Sequence, residues 1–212
     1  MVRWKLFRNT SEHTRGVVVI FHGGKERSRA RTRWFNPGVF RALLLGRSLH
    51  RRVAILGVDV WCLRYSLRGW NAPELSAVND ARIAVRSLAT ETPDIPVVLV
   101  GHSMGGRTAF RVADEPNVVG VVGIAPWVPA GEPVETVRDR IVHIAHGSAD
   151  RVTDPDLSLA FSDRARSVAK SVAYELVDGD GHSLLRRFGV WNRIVFDATL
   201  SMLQLSGRVG SD

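Results

Sequence analysis

The sequence predicts an α/β protein with a mostly parallel central sheet and helices on both faces. Three observations carry this. Short β-branched runs recur along the 212 residues, amphipathic stretches of helical period fall between them, and one run, "VVLVGHSMGGRTAF", passes from strand to helix through a glycine-rich turn. Strands that alternate with helices build βαβ units, whose sheet is parallel and covered on both sides.

The apolar runs are "GVVVIFHGG" (16–24), "RVAILGVDV" (52–60), "PVVLVGHS" (96–103), "NVVGVVGIAP" (117–126), "RIVHIAHGS" (140–148) and "SVAYELVDGDGH" (171–182), so at least six strands are expected. Continuous apolar runs bounded by proline or glycine read as strands buried on both faces. Between them, "PELSAVNDARIAVRSLATE" sets Leu75, Val78, Ile83 and Val85 to Leu88 in helical phase, and "DPDLSLAFSDRARSVA" is a second helix. "FGVWNRIVFDATLSML" places Val190, Ile194, Ala198 and Met202 four apart, the pattern of an amphipathic cover on the sheet. The length predicts one domain over residues 1–212, without internal repeat or linker, and the tail "SGRVGSD" is expected to fray.

Composition excludes several classes. No apolar run approaches the roughly 20 residues of a membrane helix, and "MVRWKLFRNT" lacks the apolar core of a secretory signal, so a cytoplasmic protein without stable membrane insertion is expected. The single cysteine, Cys62, has no intramolecular disulfide partner and reads as a buried structural thiol. Charge is uneven: residues 1–70 hold 15 Lys and Arg against 3 Asp and Glu, whereas residues 71–212 hold 14 against 18. The densest run, "KERSRARTRW", carries Lys25, Arg27, Arg29, Arg31 and Arg33. It reads as a solvated loop, or as a contact for phosphate, carboxylate or an anionic membrane surface. No helix-turn-helix, zinc spacing or aromatic RNA-binding segment accompanies it, so nucleic acid is not an expected partner. No metal or cofactor is expected either.

The chemistry centres on Gly101-His102-Ser103-Met104-Gly105, a G-x-S-x-G pattern in which a strained strand-to-helix turn lifts a serine hydroxyl above the sheet. A plain glycine turn shares the pattern, so its partners decide. A serine hydroxyl needs a base within hydrogen-bond reach and a third group to fix the base's tautomer. Ligands collect at the carboxyl ends of the strands. There lie His22-Gly23-Gly24, Trp61 to Trp70, Ser103, Pro126-Trp127, Gly147 to Asp150 and Gly181-His182. Asp150 follows "IVHIAHGSAD" and His182 sits in "DGDGHS", so the order Ser103, Asp150, His182 is that of an elbow-type serine enzyme. Asp154 and Asp156 are rival acids, with Asp150 preferred as nearest the strand. His143 is expected in the core, His102 and His146 as loop supports, and His22 as a brace for its own loop. Stabilising an oxyanion needs backbone N–H donors. Met104 supplies one by position; Gly24 is the first choice for the second and Gly23 the next. Trp34, Phe35, Trp70, Trp127 and Leu184 are placed to line the mouth, where they would suit an apolar acyl or alcohol group.

The motifs "FHGG", "GHSMGG", "HGSADRVT" and "DGDGHS", spread over nearly the whole chain, resemble the α/β-hydrolase superfamily, specifically its small serine esterases and lipase-like members of the dienelactone-hydrolase-like and monoacylglycerol-lipase-like groups. The resemblance implies an α/β-hydrolase fold and a serine hydrolase of carboxylesterase type, acting on a small-molecule ester through an acyl-enzyme. It implies Ser103 as nucleophile, His182 as general base and acid, Asp150 as its orienting acid, and Gly24 with Met104 as the oxyanion hole. Two features depart from many relatives. Only about a dozen residues, "VPAGEPVETVRD", separate Trp127 from the next strand, so no large cap domain is expected, which favours small or exposed esters. Position 103 is neither the cysteine of dienelactone hydrolases proper nor the aspartate of dehalogenases and epoxide hydrolases. Two other readings remain: an acyl-CoA thioesterase whose 25–33 segment clamps phosphates, and a non-catalytic binding protein on a hydrolase scaffold.

Overall fold

A computed structural model describes residues 3–11 and 13–207. Seven strands form one sheet: β1 (Arg3–Phe7), β2 (Gly16–Phe21), β3 (Val58–Arg64), β4 (Val97–His102), β5 (Val118–Ile124), β6 (Ile141–Gly147) and β7 (Ser171–Val177). Their order is β1-β3-β2-β4-β5-β6-β7. β1 runs antiparallel to β3, and every other neighbouring pair is parallel. The helices are α1 (Pro37–Val53), α2 (Ser76–Glu91), α3 (Met104–Arg111), α4 (Pro155–Ala165) and α5 (Phe188–Leu205).

Strand side chains alternate between the two faces, and each face meets its own helices. Val17, Val19, Phe21, Val97 and Leu99 pack with residues of α2, α3 and α4. Val18, Ile20, Val98 and Val100 pack with residues of α1 and α5, among them Ile194, Ala198 and Met202 of the expected cover helix. A fully buried valine or leucine contributes about 1.5–3 kcal/mol, so the two apolar layers dominate the favourable side of folding. Ile83, counted in the apolar phase of α2, instead faces solvent.

The structure differs from the sequence expectation in three places. β1 was not anticipated: its five residues, "RWKLF", carry two cations, as edge strands commonly do. Trp4 meets Trp61 edge to face with ring centroids 5.1 Å apart. The strand expected over 52–60 begins at Val58 instead, because Val53 closes α1 and Ala54–Leu56 form a 3-10 turn. Gly57 ends that turn in the left-handed region at φ 78°. α1 itself was not read from the sequence, although Val39, Ala42, Leu45, Leu49 and Val53 form its buried stripe. Cys62 is buried as expected; it lies on β3, where burial pushes its thiol up to about 12. Residues 208–212 of the tail lie outside the described residues.

The segment between β5 and β6 holds no helix beyond a 3-10 turn at Glu135–Val137, so no large cap covers the sheet. The segment is pinned instead. Glu132, buried to 1% side-chain exposure, accepts hydrogen bonds from Arg107 and Arg111 of α3. No helix among the described residues is long and apolar enough to cross a membrane. β3 lies on one side of β2 and β4 on the other, and the chain leaves β2 toward α1 on one face and β4 toward α3 on the other. A crevice therefore opens past their carboxyl ends, the switch point at which such sheets bind ligands.

Candidate active site

Ser103 stands at that crevice between β4 and α3, with φ 57° and ψ −122°. A non-glycine residue in this region stores on the order of 1–3 kcal/mol and persists only when its surroundings hold it. Its N–H donates to the Ile124 carbonyl at 3.1 Å, and its carbonyl accepts from the N–H groups of Gly106 at 3.0 Å, Arg107 at 3.3 Å and Trp127 at 3.0 Å. The flanking glycines are required by contact. A β-carbon on Gly101 would lie 2.1 Å from the Gly105 carbonyl oxygen, and one on Gly105 would lie 2.2 Å from that of Phe21.

The three residues singled out from sequence meet here. His182 Nε2 lies 3.0 Å from Ser103 Oγ, and His182 Nδ1 lies 2.8 Å from Asp150 Oδ2. A carboxylate only accepts, so His182 carries its proton on Nδ1 and presents the Nε2 lone pair to the serine hydroxyl. Asp150 Oδ1 accepts from the N–H of Val152 at 2.8 Å and of Thr153 at 3.1 Å. Burial alone would push the Asp150 carboxyl up. Hydrogen bonds from His146, His182, Val152 and Thr153 outweigh it and hold the group well below the usual carboxylate range. The rival acids do other work: Asp154 caps α4 by accepting from the Asp156 N–H, and Asp156 sits in the helix's first turn.

A second layer fixes these groups. His146, fully buried, donates from Nε2 to Asp150 Oδ2 at 3.2 Å and accepts at Nδ1 from Ser158 Oγ at 2.9 Å. His102 Nε2 donates to the His182 carbonyl at 2.9 Å, and the two rings stand 4.8 Å apart. Burial, with the fields of His182 and Arg41 adding, pushes His102 down to about 3. His22 donates from Nδ1 to the Gly23 carbonyl at 2.7 Å and accepts at Nε2 from the Tyr65 N–H at 3.3 Å; burial pushes it down to about 4. His143 departs from expectation: it is part-exposed on β6, with Nε2 3.6 Å from Glu175 rather than held within the core.

Two residues were missed in the sequence. Thr153 Oγ1 lies 2.9 Å from Asp150 Oδ2 and 3.0 Å from His182 Nδ1, at the hinge of their contact. Its only sequence signal was its place in "HGSADRVT". Asp180, buried to 2%, ties the His182 loop down by accepting from Trp191 Nε1 at 2.5 Å and from the Ala149 N–H at 3.0 Å. Nothing in spacing separates it from Asp178.

A cavity of about 270 Å³ adjoins Ser103, lined by Gly23, Gly24, His102, His182 and a set of polar and basic groups. Gly24 sits directly over Met104: a β-carbon there would come within 2.4 Å of Met104 Cε and 2.5 Å of the Arg68 carbonyl oxygen. None of Trp34, Phe35, Trp70, Trp127 and Leu184 lines this cavity. The Arg107 guanidinium lies over the rings of both Trp70 and Trp127, at 4.1 and 4.6 Å, where the two indoles meet edge to face, and Trp34 takes Arg64 at 4.9 Å. Phe35 is 73% exposed beside Arg33. Leu184 is buried and lines a separate apolar pocket of about 20 Å³ with Leu45 and Trp191. Stacking on arginine gives an aromatic ring at a strand end a partner that the sequence does not announce.

The 25–33 run is also more ordered than a solvated loop. The Lys25 N–H donates to the Arg68 carbonyl at 2.9 Å, Trp70 N–H to that of Lys25 at 2.8 Å, and Thr32 N–H to that of Ser66 at 3.0 Å. Lys25 and Thr32 reach the cavity, whereas Arg27 and Arg29 line a separate surface hollow and Arg29 pairs with Glu74.

The sequence profile of the alpha/beta hydrolase family matches residues 18–202. No curated protein matches the chain by sequence. Several solved structures share its fold. One, an alpha-beta serine hydrolase homologue from Coxiella burnetii, is 16% identical with a TM-score of 0.70, covering 92% of this chain and 90% of its own. A thermophilic esterase, Est2, from Thermogutta terrifontis is 16% identical with a TM-score of 0.73, covering 100% and 92%. The monoacylglycerol lipase of Paleococcus ferrophilus is 16% identical with a TM-score of 0.69, covering 95% and 99%.

Proposed function

The chain belongs to the alpha/beta hydrolase family, and from that premise we propose that it hydrolyses carboxylic esters through an acyl-enzyme on Ser103. The observation that carries the reading is the hydrogen-bonded series Ser103 Oγ, His182 Nε2 and Nδ1, and Asp150 Oδ2, at 3.0 and 2.8 Å, on a backbone elbow that only a crowded glycine frame can hold. An esterase and a monoacylglycerol lipase among the structures of like fold agree with it.

In this reading Ser103 Oγ attacks the ester carbonyl while His182 Nε2 takes the hydroxyl proton. Asp150, held ionised by the hydrogen bonds it accepts, stabilises the imidazolium that results. The oxyanion forms against the N–H of Met104, at the start of α3, and the N–H of Gly24, with Gly23 the other candidate. Collapse breaks the carbonyl carbon–oxygen bond, and His182 returns its proton to the departing alkoxide, which leaves as the alcohol. Water then adds to the acyl-enzyme with His182 again as base, releasing the carboxylic acid and restoring Ser103.

The thioesterase reading built on Arg27, Arg29 and Arg31 has less support, since those residues do not line the cavity beside Ser103. Ser103→Ala should lower kcat on a simple ester such as ethyl butyrate by about a millionfold. Retention of wild-type turnover in a folded variant would remove Ser103 from the mechanism.

A further inference from the structure

The cavity beside Ser103 is bordered by three cations, Lys25, Arg41 and Arg68, and by no Asp or Glu. None of the three has an ion-pair partner among the described residues. Other arginines near α3 are ion-paired: Arg82 and Arg86 with Glu115, Arg107 and Arg111 with Glu132. Concentrated positive charge without counter-charge, in a concave site beside a reactive group, attracts and orients anions.

Residues that line the cavity also hold unspent hydrogen-bonding capacity. Thr32 is 2% exposed and lines the cavity, yet its Oγ1 has no hydrogen-bond partner among the described residues. Arg41 Nε, a donor, is buried and unpartnered in the same way. Native proteins pair nearly all such atoms, so a cluster of exceptions around one cavity calls for a ligand that supplies the partners. The N-terminus of α1 opens onto the cavity at Asn36, Pro37 and Gly38, with no acidic residue in its first turn and no side-chain cap, which adds the positive end of the helix dipole. The frame is rigid, because the Lys25 and Arg68 backbones are hydrogen-bonded to each other.

We infer that the substrate of this site is an anionic ester, whose carboxylate or phosphate is seated among Arg41, Arg68, Lys25 and the Thr32 hydroxyl while its acyl carbon meets Ser103. This rests on the ester-hydrolase reading for the chemistry and on the cavity alone for the anion. Guanidinium groups suit it, since each can offer two parallel N–H donors to a carboxylate or phosphate.

Matched pairs of substrates locate the charge. Monoethyl succinate against ethyl butyrate puts a carboxylate on the acyl chain, and butyryl-CoA against S-ethyl thiobutyrate puts phosphates on the leaving group. In at least one pair, kcat/KM of wild type for the charged member should exceed that for the neutral one by tenfold or more, and the ratio should fall as salt is raised. Arg41→Met and Arg68→Ser should each cut that ratio about tenfold, and Arg41→Lys should restore part of it, with thermal melting confirming that each variant folds. Calorimetry on Ser103→Ala reads binding without turnover: monoethyl succinate or butyryl-CoA should bind at least tenfold tighter than its neutral counterpart. Neutral members favoured or equal in both pairs, in turnover and in binding, overturn the inference. If wild type cleaves none of the four, the hydrolase reading falls, and the calorimetric comparison still decides the anion site.

Discussion

Two groups of arginines flank the elbow and end in opposite electrostatic states. On one side Arg107 and Arg111 of α3 converge on Glu132, and Arg107 rests against the rings of Trp70 and Trp127. On the other, Arg41 and Arg68 border the cavity with Lys25 and meet no carboxylate among the described residues. The first group staples the short β5–β6 segment to α3, where many relatives are expected to carry a cap. The second leaves charge facing the space in which a substrate would sit. The lesson is that arginine density in a sequence carries little information about function; whether each charge has found a partner carries much more.

Stability measurements break or sharpen this contrast. Glu132→Ala strands two guanidinium groups in a buried setting and should cost about 3–5 kcal/mol of unfolding free energy in urea denaturation. Arg41→Met removes a charge that has no ion-pair partner among the described residues, so it should stay within about 1 kcal/mol of wild type. Equal losses from the two substitutions would mean that the groups are not different in kind.

The next effect is smaller and depends on pH. His102 stands near 3 in the folded chain, against 6.5 when unperturbed, because of burial first, then His182, then Arg41. Between those values the unfolded chain binds a proton that the folded chain does not, so the contribution is fully present above about pH 6.5 and is lost as pH falls toward 3. Asp150 acts lower, its contribution present above the unfolded carboxylate value of about 3.9 and lost as pH falls through its depressed folded value. His102→Gln, which keeps a donor for the His182 carbonyl, should therefore flatten the fall in stability between pH 7 and pH 5. Arg41→Met should flatten it less. An unchanged slope in His102→Gln would show that His102 is not held neutral by its surroundings.

Much of this was legible in the sequence, for reasons that differ by element. β2, β4 and β5 are dominated by apolar residues on both faces and lie beside glycine or proline, so their composition alone marks them. Ser103, Asp150 and His182 each follow a strand, and parallel topology sends strand ends to one edge, which is why residues 79 and 32 apart in the chain are hydrogen-bonded in the structure. β1 and α1 were hidden because charges interrupt their apolar patterns. The pocket wall was hidden for a deeper reason. Trp70 and Trp127 looked available for a substrate, and only the approach of Arg107, which no local pattern encodes, turns them into structural partners. Thr153 was equally out of reach, since its role exists only where Asp150 and His182 meet.

The most direct test of the account is labelling by a fluorophosphonate, read by intact-protein and peptide mass spectrometry. The account requires one adduct per chain, located on Ser103, formed rapidly in wild type, slowly in His182→Ala and not at all in Ser103→Ala. A wild-type protein that stays unlabelled, or that carries its adduct on another residue, would contradict it.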